Sequence, residues 1–329
     1  MFEKYSSRRE FIKYIFISFL LFLNSCRNVS KKVKIALQNS FYPDDFKSAI
    51  PKNWQKNNFN FVNINEEKKL DSILESDFTL INDGWINNIN FNEFKKINDS
   101  YFLEKLDRRS RNFLNTFEEN KRNKLFPIGV VPFAIIIKNN KDLINSARES
   151  WDFLLSKRLS KKIIFPESPR IMISIAEKIN SSNTMAKLKR QAKLFDDQNA
   201  LNWLINSDSC VAIVPYSLCS KYLKIDSRLS VVFPNQGVPL MWHFALNRSN
   251  LNTEILLDWI KSLESKSIVD KLANQGWHLP FINYYSQSKY KFEITGISGP
   301  SEQSWANSWS FPTLTNEQKI NFENTWNNS

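Results

Sequence analysis

The chain alternates short, β-branched apolar runs with stretches of helical spacing. Val33–Leu37 (VKIAL) is followed by a turn at Tyr42-Pro43-Asp44-Asp45 and an amphipathic stretch reaching about Asn57. Phe59–Ile64 alternates as a strand does, Glu66–Glu75 has helical spacing, and Asp77–Ile81 is again a buried-type strand. Strand, helix, strand, helix, strand predicts a parallel sheet covered by helices. After a polar, helix-containing stretch from Asn92 to Arg122 comes Pro127–Lys138 (PIGVVPFAIIIK), the most apolar run beyond the amino-terminal leader. Its two prolines predict a strand that bends as it passes from one sheet to another. Further strands are expected at Lys162–Phe165, Cys210–Val214, Ser230–Phe233 and Met241–Leu246. Helices are expected from Ser150, and over Ile171–Ile179, Thr184–Leu194, Asp197–Asn206, Asn252–Leu263 and Lys266–Asn274.

In such sheets ligands gather beyond the carboxyl ends of the strands. The QNSFY loop (38–42) and the NDGW loop (82–85) therefore lie on the expected functional edge.

The first 26 residues have a different pattern. Lys4, Arg8, Arg9 and Lys13 precede an apolar run of ten residues, Tyr14–Leu23, which ends in Asn24-Ser25-Cys26. Ten residues fall short of the roughly 20 needed to span a bilayer. A basic flank, a short apolar segment and a small-residue end are the parts of an export signal. Leu23-Asn24-Ser25-Cys26 resembles a bacterial lipobox, which implies lipidation of Cys26. Ser7–Lys13 is also similar to the twin-arginine consensus, so both that route and general export remain open. The expected location is the periplasm, with the chain anchored through Cys26.

Removing residues 1–25 takes away four basic and two acidic residues, which leaves about +10 of the net charge of +12. That charge is spread along the chain without long blocks, and no nucleic-acid motif accompanies it. Cys210 and Cys219 read either as a pair or as small buried thiols, the second preferred. With His243 and His278 as the only histidines, no metal signature forms from spacing alone. The sequence holds no GxSxG, HExxH or P-loop, so an enzyme is not expected, and neither is a cofactor.

Four segments in order resemble the extracytoplasmic solute-binding proteins of ABC importers, nearest to the spermidine/putrescine-binding group. They are IALQNSFYP (35–43), DFTLINDGW (77–85), SWDFLLSKRLSKKIIFPESPR (150–170) and VVFPNQGVPLMWHFALN (231–247). The last is followed by EILLDWIKSLESKSIVDKLANQGWHLP (254–280), similar to the family's two helices and Gly-aromatic loop. The resemblance implies an α/β, type 2 periplasmic-binding-protein fold. Its two lobes, each a mostly parallel sheet with helices on both faces, are joined by two crossover strands near Val130–Ile136 and Met241–Leu246. It implies a division into an export signal (1–25), a lipidated linker (26–32), lobe 1 (33–130 with about 245–290) and lobe 2 (131–244 with about 291–329). It also implies a monomeric carrier that closes around a small-molecule solute and hands it to a permease and its ATPase, with no nucleic-acid partner.

Polyamine binders hold ammonium groups with carboxylates and line the methylenes with aromatic rings. The resemblance carries ligand contacts onto Asn39, Ser40, Tyr42, Asp83, Trp85, Glu167, Ser168, Tyr216, Trp242 and Trp277. The aromatic half is present, but the acidic half is thin. Positions that carry carboxylates in the family read Ser168, Ile171 and Trp242 here, leaving Asp83 and Glu167 as partial substitutes. A small polar or cationic, polyamine-like solute is expected. Other readings stay open: Asp83 as an Asx-turn residue, Trp85 as a lobe-core residue, Trp242 as hinge packing, Trp277 as core. Arg170 reads either as a local partner for a carboxylate or as a contact for an anionic ligand, and His243 as structural. Alternatives of other kinds are a ferric-iron binder using Tyr284-Tyr285 and a lipid-anchored envelope assembly protein.

Overall fold

In a computed structural model the chain is described over residues 33–38, 41–49, 51, 59–64, 73, 75–97, 100–248, 253–281, 299–312 and 314–329. Its strands are β1 (Val33–Leu37), β2 (Phe59–Asn63), β3 (Phe78–Asn82), β4 (Phe126–Lys138), β5 (Ile163–Phe165), β6 (Ala192–Phe195), β7 (Val211–Pro215), β8 (Leu229–Val232) and β9 (Leu240–Asn247). The helices are α1 (Asp44–Ser48), α2 (Ser100–Lys105), α3 (Arg108–Leu114), α4 (Glu119–Arg122), α5 (Lys141–Glu149), α6 (Pro169–Ala176), α7 (Thr184–Gln191), α8 (Ala200–Asn206), α9 (Tyr216–Ile225), α10 (Thr253–Leu263), α11 (Lys266–Ala273), α12 (Glu302–Asn307) and α13 (Asn316–Asn327). None of the helices among the described residues is long and apolar enough to cross a membrane.

The strands form two sheet regions that share one strand. In the first, β1 pairs in parallel with β2 and β3, and β9 runs antiparallel between β3 and the opening half of β4. The closing half of β4, from Phe133, leaves β9 and pairs antiparallel with β7 and β8. Beyond β7, β5 and β6 continue the second region in parallel. Every β4 residue except Lys138 is buried, as expected of a strand enclosed on both faces. A register shift between Pro127 and Gly129 gives β4 its irregularity where Pro127 cannot donate to the ladder.

The return crossing differs from expectation. Throughout its length β9 belongs to the first sheet region, so the chain crosses back before it, between the end of β8 and Leu240. That stretch turns at Gly237 with φ +88°, and an added Cβ there would collide with the Asn307 carbonyl. Trp151 braces the turn: its indole Nε1 donates to the Gly237 carbonyl at 3.0 Å, and Gln236 Oε1 accepts from its main-chain amide at 2.8 Å.

Two further differences are local. The helical spacing of Thr184–Leu194 ends at Gln191, and the chain continues as the edge strand β6. The expected helix at Ser150 is a single 3₁₀ segment, Trp151–Leu155, capped by the Ser150 side chain. The helical spacing of Glu66–Glu75 lies almost wholly outside the described residues.

After residue 299 the chain returns along the crossing. Leu240 N donates to Trp309 O at 2.9 Å and Trp309 N to Val238 O at 3.1 Å, a short parallel bridge beside the crossing. The helix α13 then lies near α6, with Trp326 edge-on to Phe195 at 5.4 Å between ring centroids and Lys189 over the Trp326 ring.

Candidate functional site

The loop after β3 starts the site. Asn82 Oδ1 accepts from Gly84 N at 3.1 Å, an Asx-type turn that begins a 3₁₀ segment at Asp83. This places Asp83 inward, where it is 4% exposed. The facing element is α6, whose cap is Ser168 and whose first helical residue is Pro169, a residue suited to that position. Arg170 follows, and its Nη2 reaches across to Asp83 Oδ1 at 3.3 Å. The two charges come from different sheet regions, Asp83 from the first and Arg170 from the second.

Arg170 also stacks on the Phe311 ring, 4.5 Å from its centroid. Phe311 is held there by the returning segment, in which Ser310 Oγ accepts from Trp242 Nε1 at 2.7 Å. On the other side of that segment, Arg109 of α3 donates to Trp305 O at 2.6 Å and lies over the Trp305 ring. The guanidinium of Arg170 is thus clamped between a carboxylate and an aromatic face, the arrangement that recognises an organic cation.

The electrostatics are strained on one side. Burial raises the Asp83 carboxyl to about 6, while the Arg170 charge and hydrogen bond, and main-chain donors at Trp242 and Asp83, pull it down. Asp83 Oδ2 has no hydrogen-bond partner. A buried charge of this kind normally has its lone pairs filled.

The other expected contacts fall in several settings. Trp85, half-buried, and Tyr42 line a crevice of only about 10 Å³ together with Gln38, Asn82 and His243. Tyr42 is buried, and its hydroxyl lies 3.0 Å from His243 Nδ1. Trp277 is 1% exposed and packs on Tyr42, Phe46 and His243 at centroid distances of 5.4, 5.1 and 4.4 Å. A Cβ on Gly129 would lie 2.6 Å from the Trp277 ring, so the indole fits only over a glycine. Trp242 is fully buried and stacks on Phe113 at 4.9 Å. Tyr216 is buried edge-on to Phe233 at 5.2 Å, and Gly276 of the Gly-aromatic loop abuts its ring. Burial raises the Tyr216 hydroxyl well above its ordinary value, with Cys219 adding to the effect.

Glu167 is exposed and Ser168 half-buried, both beside Arg170 at the start of α6. Asn39, Ser40 and Cys26 lie outside the described residues, as do Tyr284 and Tyr285. Among the described residues no group of three His, Cys, Asp or Glu side chains is placed to hold a metal ion. Cys210 and Cys219 are free thiols. His243 and His278 are buried, and desolvation lowers both to about 3, so each is a neutral imidazole at ordinary pH.

The sequence reading did not place Phe311, Ser310 or Phe113 at the cleft. Phe113, Ser310, Arg109 and Pro312 border a groove of about 600 Å³ between α3 and the returning segment. The signal available was the density of rings at Trp305, Trp309 and Phe311 in an otherwise polar tail.

No family model and no curated protein matches the sequence. Solved structures do. The chain is similar to a spermidine/putrescine ABC transporter substrate-binding protein of Streptococcus pneumoniae, with 10% identity and a TM-score of 0.69, covering 91% of this chain and 98% of that one. It is similar to a lipoprotein of Treponema pallidum at 12% identity and a TM-score of 0.65, covering 91% and 99% of the two chains. A ferric binding protein from Campylobacter jejuni follows at 13% identity and a TM-score of 0.57, over 90% and 99%. The fold is the two-lobe, type 2 periplasmic-binding-protein fold.

Proposed function

We propose that the chain is the solute-capturing component of an ABC importer, taking a small polar or cationic solute between its lobes and passing it to a permease and its ATPase. The observation that carries this reading is the meeting of Asp83 and Arg170, charges contributed by opposite sheet regions on either side of the crossing. A solute that touches both favours the closed arrangement by its differential affinity, and closure is then the signal that the permease reads. The lobe division proposed follows the expected one, with its return boundary moved from about 245 back to about 240 because β9 pairs with the first sheet region from Leu240: 33–130 with about 240–290, and 131–239 with about 291–329. Contacts are proposed at the cleft edge, from Asp83, Trp85, Glu167 and Ser168, with Asn39 and Ser40 on the neighbouring loop. Tyr42, Tyr216, Trp242 and Trp277 form the walls behind them. A lipid on Cys26 would keep the exported, monomeric carrier beside its permease without a spanning helix.

Thermal unfolding of the mature chain against putrescine, spermidine, quaternary amines, amino acids and ferric citrate tests this. At least one small solute is expected to raise Tm in a concentration-dependent way. If none does and only a protein partner stabilises the chain, the transport reading fails.

A further inference from the structure

Where the two sheet regions face each other there is one buried acid and one nearly buried base, and the base occupies the place where a cationic solute would meet that acid. The Asp83 side chain is 2% exposed and that of Arg170 17%. Such a pair is a poor choice for stability alone, since desolvating two charges offsets most of their attraction. It is also incomplete, because Asp83 Oδ2 lacks a donor. On the other side, Arg170 stands in the first turn of α6, an eight-residue helix whose cap Ser168 makes no side-chain capping bond. Opening amides of a helix have no partner within it, and they favour an anion. Phe311 holds the guanidinium in place from behind. Glu167, on the same loop, is exposed and screened by solvent.

We infer that the cleft is built for a zwitterion, a small solute whose ammonium end takes Asp83 and whose carboxylate end takes Arg170 and the amino end of α6. Inserting it replaces one direct ion pair with two and keeps the charges of the buried Asp83–Arg170 pair balanced, with Glu167 at the solvent-facing edge. It also supplies a donor to Asp83 Oδ2. A dication would bring its second ammonium against Arg170, and a dianion its second carboxylate against Asp83. Each leaves like charges facing in a desolvated site. The inference rests on the importer reading and names its solute class.

Three four-carbon compounds that differ only in their ends separate these cases: putrescine, 4-aminobutyrate and succinate. Calorimetric titration of the mature chain is expected to show 4-aminobutyrate binding tightest, by about tenfold or more over the other two. Asp83→Asn should weaken 4-aminobutyrate and move the preference toward succinate, while Arg170→Met should move it toward putrescine. A purely structural ion pair would not produce these opposite shifts. If putrescine or succinate binds the unmodified chain as well as 4-aminobutyrate does, the zwitterion assignment is overturned while the importer reading stands. If none of the three binds and the small solute that does stabilise the chain carries charge of only one sign, the result is the same; a zwitterion of another length would uphold the assignment. If no small solute binds at all, both fall. The comparison on the unmodified chain decides the matter even if a variant does not fold.

Discussion

Two places in the molecule use aromatic rings for different ends. Around Trp277, the rings of Tyr42, Phe46 and His243 each meet the indole, Tyr42 meets the other two, Phe46 meets Trp259 in turn, and Tyr42 and His243 share a polar contact. Around Arg170, a ring meets a charge: Phe311 backs a guanidinium that faces a buried carboxylate. The first cluster cements loops and helices onto the first sheet region. The second joins elements from both regions at the Asp83–Arg170 ion pair. An abundance of tryptophan thus says little about ligand chemistry until a charge is found beside it.

The largest expected effect tests the first cluster. Trp277→Ala should destabilise the chain by about 3–5 kcal/mol in a denaturant titration, as large buried rings do. Any solute preference should survive in the fraction that folds. A variant that is nearly as stable as the parent but no longer binds solute would move Trp277 from wall to contact.

The next effects concern pH, and the two buried histidines respond in the opposite sense to Asp83. His243 and His278 have folded values near 3, below the unfolded 6.5, so their contribution is present above pH 6.5 and is lost as pH falls from there toward 3. Asp83 has a folded value near 6, above the unfolded 3.8, so its contribution is present below 3.8 and is lost as pH rises through 6. Melting curves from pH 3 to 8 should therefore fall away on the acid side. Asp83→Asn should raise stability at pH 8 relative to pH 4 when compared with the parent, by about 1–3 kcal/mol. An unchanged pH profile in that variant would mean Asp83 is not the strained acid.

A smaller effect concerns the crossing. Gly237→Ala forces a Cβ onto a backbone with φ +88° and against Asn307 O, and should cost about 1–3 kcal/mol. Smallest is Trp242→Phe. It keeps a ring against Phe113 but loses the 2.7 Å bond to Ser310, for about 1 kcal/mol by thermal melting. A large loss of solute affinity in that variant would set Trp242 among the contacts and narrow the contrast between the two clusters.

Much of this arrangement was legible from residue pattern. Val33–Leu37 and the long run at 127–138 read as strands because strands buried on both faces are almost wholly apolar, and Phe59–Ile64 because its apolar positions alternate. β6 was not, since Ala192–Phe195 continues a helical spacing and only its partner β5 makes it a strand. The sheet to which β9 belongs was equally hidden, because a short apolar run carries no record of its neighbour. Asp83 and Arg170 were each noticed on their own loops, but their contact spans 87 positions and depends on how two lobes meet. Whether Trp277 faces a ligand or a core depends on Gly129, far away in the chain, whose lack of a side chain admits the indole. Phe311 was least legible: the rings at Trp305 and Trp309 mark the tail as one that packs, but not that it packs against the crossing between the two sheet regions.

The most direct measurement is a crystal structure of the mature chain soaked with 4-aminobutyrate. The expected result is density between Asp83 and Arg170, with the ammonium at Asp83, the carboxylate at Arg170, and the 3.3 Å contact between the two residues broken. Solute bound elsewhere, with that ion pair intact, would contradict the account.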